Sequence, residues 1–102
     1  IYLSVLDTQK KQILVGTITY RNYRKSRMYL GYLTCNEKYI GNNVFFESVK
    51  KSIQYVFKYC NVQKIIAGTE KANIASSFFL LKLGFKIVSK NAKTIRFEKN
   101  KN

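Results

Sequence analysis

The 102-residue chain has no histidine, no proline and no tryptophan, and only two cysteines, Cys35 and Cys60. Without histidine there is no imidazole base and no His-containing metal site. Two cysteines are too few for a zinc cage or a disulfide framework. Acids are scarce: five Asp and Glu stand against 19 Lys and Arg, a formal charge of +14. No apolar run approaches the roughly 20 residues of a membrane helix, so no membrane partner is expected. No signal segment is visible either, and a cytoplasmic location is expected. What is present is a 46% apolar content, enough for a core. At roughly 100–200 residues per domain, the length fits one unit, residues 1–102. The chain opens at Ile1, inside a strand-like run, without Met.

A charge of +14 first suggests a phosphate- or carboxylate-rich partner such as nucleic acid. Fifteen of the cations are Lys, mostly single or paired, and nine Asn accompany them, the pattern of AT-rich coding. Scattered lysines chiefly keep a surface soluble. The densest cluster, Arg21, Arg24, Lys25 and Arg27 with Tyr20, Tyr23 and Tyr29, reads as a basic loop between strands. Coding bias over solvated faces is therefore preferred to a nucleic-acid site.

Apolar periodicity predicts strands over 1–6, 13–20 and 28–35, with a turn from Asp7 to Gln12. Two hairpins then open the domain as an antiparallel meander. From Glu47 to Cys60 the stripe Val49, Ile53, Val56, Phe57 and Cys60 predicts a helix. Residues 63–68 read as a strand and 73–83 as a second helix ended by Gly84. Strands over 85–89 and 94–98 follow, then a frayed tail, Lys99–Asn102. The order is βββ-α-β-α-ββ, an α+β domain with parallel pairing late in the chain.

Two segments carry chemistry. Asn36 to Val44 joins a strand to a helix, whose free N–H groups and dipole attract phosphate. Gly41 allows close backbone approach, and Asn42 and Asn43 tolerate left-handed conformations. A ligand-free tight turn explains the same residues. In the second segment, Asn73 reads first as a helix N-cap, with Ser76 on the first turn.

Together these segments resemble the GNAT acetyltransferases, in particular the ribosomal-protein-alanine N-acetyltransferase branch. Asn73-Ile74-Ala75-Ser76 followed by Lys82-Leu83-Gly84-Phe85 is similar to the family's most specific signature. Leu30-Gly31-Tyr32, Glu37–Gly41 and Glu47 resemble a second stretch, and Gly16-Thr17-Ile18 a third. The resemblance covers Ile1 to about Lys90. It implies a three-layer α/β/α acyl-CoA N-acyltransferase fold, with a mixed, mostly antiparallel sheet splayed between strands 28–35 and 63–68. It also implies acetyl-CoA as cofactor. Backbone around Leu33, Thr34 and Cys35 would bind the pantetheine arm like an added strand. The loop Lys38, Ile40, Gly41, Asn42, Asn43 and Val44 would hold the pyrophosphate. Asn73 would reach the pantetheine, and Ser76 would lie near the sulfur.

The chain departs from the family at several points. Asn43 stands where a Gly or Ala is usual, and Phe45 and Phe46 replace small residues, so weaker cofactor binding is expected. The Tyr acid of many relatives is replaced by Leu80. Ser76 is then the candidate donor to the leaving sulfur. The usual Glu base is replaced by Tyr29, leaving Glu37 and Glu70, or water, as candidate bases. Glu47, read at the helix start, is assigned to the dipole. Cys35 is either a covalent acetyl carrier or a small buried residue. Family members carry a strand and two helices before the first strand seen here, so an N-terminally truncated fragment is expected. That leaves a sheet face open to a partner chain or a second copy. Three functions compete: an N-acetyltransferase acting on a primary amine (protein N-terminus, amino sugar or small amine), a degenerate member without catalysis, and a basic RNA-binding domain.

Overall fold

The computed structural model describes residues 1–9 and 13–101. The expected turn at Asp7–Gln12 and the last residue of the tail fall partly outside them. The elements are β1 (Tyr2–Asp7), β2 (Ile13–Arg24), β3 (Arg27–Cys35), a 3-10 turn (Glu37–Tyr39), α1 (Asn43–Tyr59), β4 (Lys64–Glu70), α2 (Ile74–Lys82), β5 (Lys86–Lys90) and β6 (Thr94–Asn100). They form one six-stranded sheet in the order β1-β2-β3-β4-β6-β5. The opening meander is antiparallel, as expected. Among the described residues, β3 and β4 are the one parallel pair of neighbours. The fold is the mixed, mostly antiparallel α+β arrangement expected from the sequence.

α1 and α2 meet through Phe45 and Phe79, whose ring centroids lie 6.1 Å apart. Both helices feed one core: Val49, Ile53 and Val56 from α1 and Leu80 from α2 join Val15, Ile18, Ile65 and Phe97. They therefore cover the same face of the sheet. The opposite face carries the alternate residues of β3, β4 and β6, including Tyr29, Gly68 and Arg96. Inside the core Tyr20, 1% exposed, donates its hydroxyl to Ser52 Oγ at 2.7 Å. Ser52 Oγ in turn donates to the Val49 carbonyl at 2.7 Å. Both buried hydroxyls are satisfied within α1 and β2.

Three boundaries differ from the sequence reading. The basic segment at 21–27 is not a loop: Arg21 and Asn22 continue β2, paired with Tyr29 and Met28, leaving only Lys25 and Ser26 to turn. The Arg21 guanidinium lies over its cross-strand partner's ring, 4.8 Å from the Tyr29 centroid, which holds the strand extended. Ser26 takes the left-handed conformation, φ 57°. Second, α1 begins at Asn43 rather than Glu47, because Asn42 Oδ1 accepts from the Val44 N–H and caps the helix earlier. Glu47 then sits in the second turn, where the dipole acts weakly, so that account of Glu47 fails. Third, Lys99 and Asn100 are not frayed. They pair with Ile65 and Lys64 in β6.

Candidate functional site

The site begins with a slip of phase in β3. Tyr20 pairs with Leu30 but Thr19 pairs with Tyr32, so Gly31 is an extra residue, a β-bulge. Before it Met28 and Leu30 face the core; after it Leu33 and Cys35 do. Parallel pairing with β4 runs through Arg27, Met28 and Tyr29 and stops at Tyr29↔Ile66. Beyond that point the facing edges of Leu30–Cys35 and Ala67–Glu70 have no strand partner between them. The strands splay where the bulge bends β3.

The splay opens a cleft of about 760 Å³ on the helical face. β3 supplies Leu30, Leu33 and Cys35; β4 supplies Ala67 to Glu70; the start of α1 supplies Asn43, Phe45 and Phe46; α2 supplies Ser76 and Phe79. Phe46 packs edge-on against Phe79 at 5.5 Å, so the two bulky residues of α1 form the cleft floor together with α2. Phe45 is buried and Phe46 half-buried, which makes them core as much as lining.

Of the residues singled out from sequence, Leu33, Cys35, Ile40, Gly41, Asn42, Asn43, Glu70, Asn73 and Ser76 are brought together around this cleft. Glu37, Lys38, Thr34 and Val44 are not among its lining residues. The Thr34 hydroxyl hydrogen-bonds Thr17 Oγ1. Glu37 and Lys38 lie exposed in the 3-10 turn.

The loop before α1 is built by capping. The Lys38 N–H donates to Asn36 Oδ1, the Ile40 N–H to the Glu37 carbonyl and the Asn42 N–H to the Tyr39 carbonyl. Tyr39 is buried and donates its hydroxyl to Asp7 Oδ2 at 2.7 Å, tying the loop to β1. That hydrogen bond, with burial and the Asp7 charge, pushes the Tyr39 phenol up. The N–H groups of Gly41 and Asn43 point to no acceptor among the described residues. Gly41 adopts φ 82°, with open space where a Cβ would stand. The left-handed turn therefore falls on glycine alone. Asn42 is extended and Asn43 helical, so neither uses the left-handed tolerance expected of it. An anionic group fits here, against two unpaired N–H groups at a helix start.

On α2, Asn73 Oδ1 accepts from the Ser76 N–H at 3.1 Å, an N-cap. Thr69 and Ser77 join hydroxyls across β4 and α2 at 2.9 Å. Leu80, where many relatives carry Tyr, is buried. Burial raises the Cys35 thiol, and its proton is directed to the Asn36 carbonyl at 3.5 Å. Burial thus favours the protonated form, which disfavours nucleophilic use.

A second depression of about 410 Å³ lies on the opposite face, lined by Tyr29, Gly68, Thr69, Glu70, Thr94, Ile95 and Arg96. Its position follows from strand alternation. Gly68 leaves room for the Tyr29 hydroxyl, which lies 2.9 Å from where a Gly68 Cβ would stand. The two cavities share Gly68, Thr69 and Glu70, so they meet across the splayed strands. Sequence reasoning missed Thr69, Phe79 and Lys82 as lining residues. α2 is apolar on nearly every side, so no stripe distinguishes the face toward the cleft. Among the described residues no His, Cys, Asp and Glu cluster suits a metal, and no helix is long and apolar enough to cross a membrane.

The model of the acetyltransferase (GNAT) domain family matches residues 1–86. No curated protein matches the chain in sequence. Among solved structures, the chain is similar to a GNAT-family acetyltransferase from Bacillus anthracis, with TM-score 0.85 and 19% identity, covering 98% of this chain and 66% of that one. It is also similar to ribosomal-protein-alanine acetyltransferase from Vibrio fischeri, with TM-score 0.84 and 21% identity over 99% and 61%. A third is PaiA N-acetyltransferase from Thermoplasma acidophilum in complex with coenzyme A, with TM-score 0.84 and 16% identity over 98% and 60%. The chain spans less than two thirds of the length of each of these three.

Proposed function

The chain belongs to the acetyltransferase (GNAT) family, and on that premise we propose that it is an N-acetyltransferase moving an acetyl group from acetyl-CoA to a primary amine. The observation that carries this reading is the splay: two parallel strands separate after three residue pairs, and the cleft on one face meets a depression on the other. In this reading the unpaired backbone of Leu33–Cys35 holds the pantetheine arm as an added strand would. Gly41 and Asn43 present N–H groups to the pyrophosphate. Acetyl-CoA supplies an activated thioester carbonyl.

The remaining roles belong to side chains. The amine approaches from the depression at Tyr29 and Glu70. Glu70 reaches both cavities and is, among the described residues, the one acid lining either of them, so it is preferred over Glu37 as the base that keeps the amine neutral. Ser76, at the cleft wall, donates a hydrogen bond toward the departing sulfur. The acceptor is the primary amine of a protein N-terminus, an amino sugar or a small amine, met in the cytoplasm. A second reading, a member that binds but does not catalyse, is favoured by one feature: Leu80 is buried where a Tyr acid would stand.

Two measurements test this. At tenfold excess over its Kd, acetyl-CoA should stabilise the protein by about 1.4 kcal/mol. That corresponds to a rise in melting temperature of roughly 6–11 °C for a domain of this size. No rise at millimolar acetyl-CoA sinks the reading. Thiol release with a panel of primary amines then separates the active from the non-catalytic form. Ser76→Ala should lower kcat about tenfold while leaving the acetyl-CoA Kd within about twofold, the signature of an interaction made only in the transition state.

A further inference from the structure

The depression opposite the helices is lined by two opposite charges, Glu70 and Arg96. The β4–β6 register places them: Gly68 pairs with Arg96, and Glu70 with Thr94. Glu70 and Arg96 are therefore diagonal neighbours across two antiparallel strands, about 7–8 Å apart at the backbone. Gly68 has no side chain to close the space beside them, and the Tyr29 hydroxyl borders it, 2.9 Å from where a Cβ would stand. Glu70 makes no ion pair among the described residues. Arg96 has its Nε 3.6 Å from Glu98 Oε2, but Lys64 holds that carboxylate more closely, at 2.8 Å. The Lys64 hydrogen bond, against some burial, and the charges of Lys64, Arg96 and Arg27 lower the Glu98 carboxyl. One carboxylate thus faces three cations, and the balance beside the depression is positive. Its two ends differ in sign: an acid at Glu70, a cationic excess at Arg96.

We infer that the acceptor is a free α-amino acid, its carboxylate received by Arg96 and its amino group by Glu70; this rests on the acetyl-transfer reading above. A guanidinium offers a carboxylate planar, paired donors. A cavity of about 410 Å³ has room for a molecule of that size. A peptide N-terminus has an amide where this carboxylate would stand, and a polyamine brings a second cation, which Arg96 would repel. The Arg96 side chain is 40% exposed, so the pair is partly screened.

Thiol release with acetyl-CoA, and isothermal titration in the presence of CoA, test the assignment in the whole chain with alanine, serine and their amides. The amides keep the amine and lose the carboxylate charge. Their intrinsic difference in basicity cancels when parent and variant are compared. The acid-to-amide ratio of kcat/KM should fall about fivefold in Arg96→Gln, the upper range for a partly exposed ion pair, and Arg96→Lys should keep most of it. The ratio of affinities should fall in parallel. An unchanged ratio in Arg96→Gln overturns the inference; so does an equal loss for acids and amides, which marks a structural role. Thiol release by the parent without preference for the acids overturns this inference alone. Preferential binding of the acids, lost in Arg96→Gln, without thiol release sinks the transfer reading and upholds the carboxylate site. If the parent neither binds nor acetylates any of the four, both fail.

Discussion

Gly16→Ala is expected to lower the melting temperature by about 12 °C or more. A Cβ at this position would overlap the Thr34 carbonyl oxygen and stand 2.6 Å from Phe45 Cε1. Thr34 pairs with Thr17 and precedes Cys35, the β3 partner of Gly16, so its carbonyl cannot turn aside without breaking the ladder. Phe45 is packed as well, 6% exposed and stacked on Phe79, with open space only on its cleft side. Overpacking of this kind costs typically 1–3 kcal/mol, and a clash with backbone belongs at the upper end, about 3 kcal/mol. Each kcal/mol moves the midpoint of a domain of this size by roughly 4–8 °C. The strain has one outlet, displacement of Phe45 toward the cleft, so the variant should also bind acetyl-CoA less tightly than the parent. Gly31→Ala is the matched control. Its Cβ would meet only Thr19 O at 3.7 Å and Arg21 Nε at 3.8 Å, ordinary contacts. It should stay within about 0.5 kcal/mol of the parent. Thermal melts of the two variants side by side decide the matter, and equal midpoints would refute it.

The second large effect is alkaline. Burial pushes the Tyr20 phenol up to about 12, opposed by the hydrogen bond with Ser52 and helped by the nearby Cys60. The unfolded chain releases this proton near the ordinary value of 10.0. Folding therefore favours the neutral phenol. The contribution is complete below pH 10 and is lost as pH rises toward 12, because the unfolded state sheds its proton first. That difference between the folded and unfolded phenol is worth about 3 kcal/mol. Urea midpoints between pH 9 and 12 should show that fall. Tyr20→Phe should lose about 1 kcal/mol at neutral pH, where Ser52 forfeits its donor, but should show the smaller alkaline decline. Parallel declines in both proteins would assign the loss to other tyrosines or lysines.

The helices and strands were legible because their periods differ and burial obeys them: Val49, Ile53, Val56 and Phe57 form one buried stripe. Boundaries were less legible. A single capping residue, Asn42, moves the start of α1 by four positions, and a cross-strand pair, Arg21 on Tyr29, turns an apparent basic loop into strand. The bulge has a signal in the sequence. In β3 the core positions change from even, Met28 and Leu30, to odd, Leu33 and Cys35, and Gly31 lies between them. Such a change of parity marks an extra residue. The Tyr39–Asp7 hydrogen bond joins residues 32 apart and has no local signature at all. Capping by Asn73 was legible, since it needs only the residues that follow. The side of α2 that faces the cleft was not, since tertiary packing alone selects it.

That only one cation among the described residues reaches the cleft bears on kinetics. The chain carries a formal charge of +14, whereas among the described residues the cleft holds one Lys against one Glu. For an anionic ligand, the distributed charge acts on diffusional arrival and hardly at all on the bound complex. Association should slow as ionic strength rises, while the lifetime of the complex, governed by backbone donors and apolar walls, stays nearly constant. The excess of positive charge then serves as a collector, delivering ligand to a site that holds it by other means.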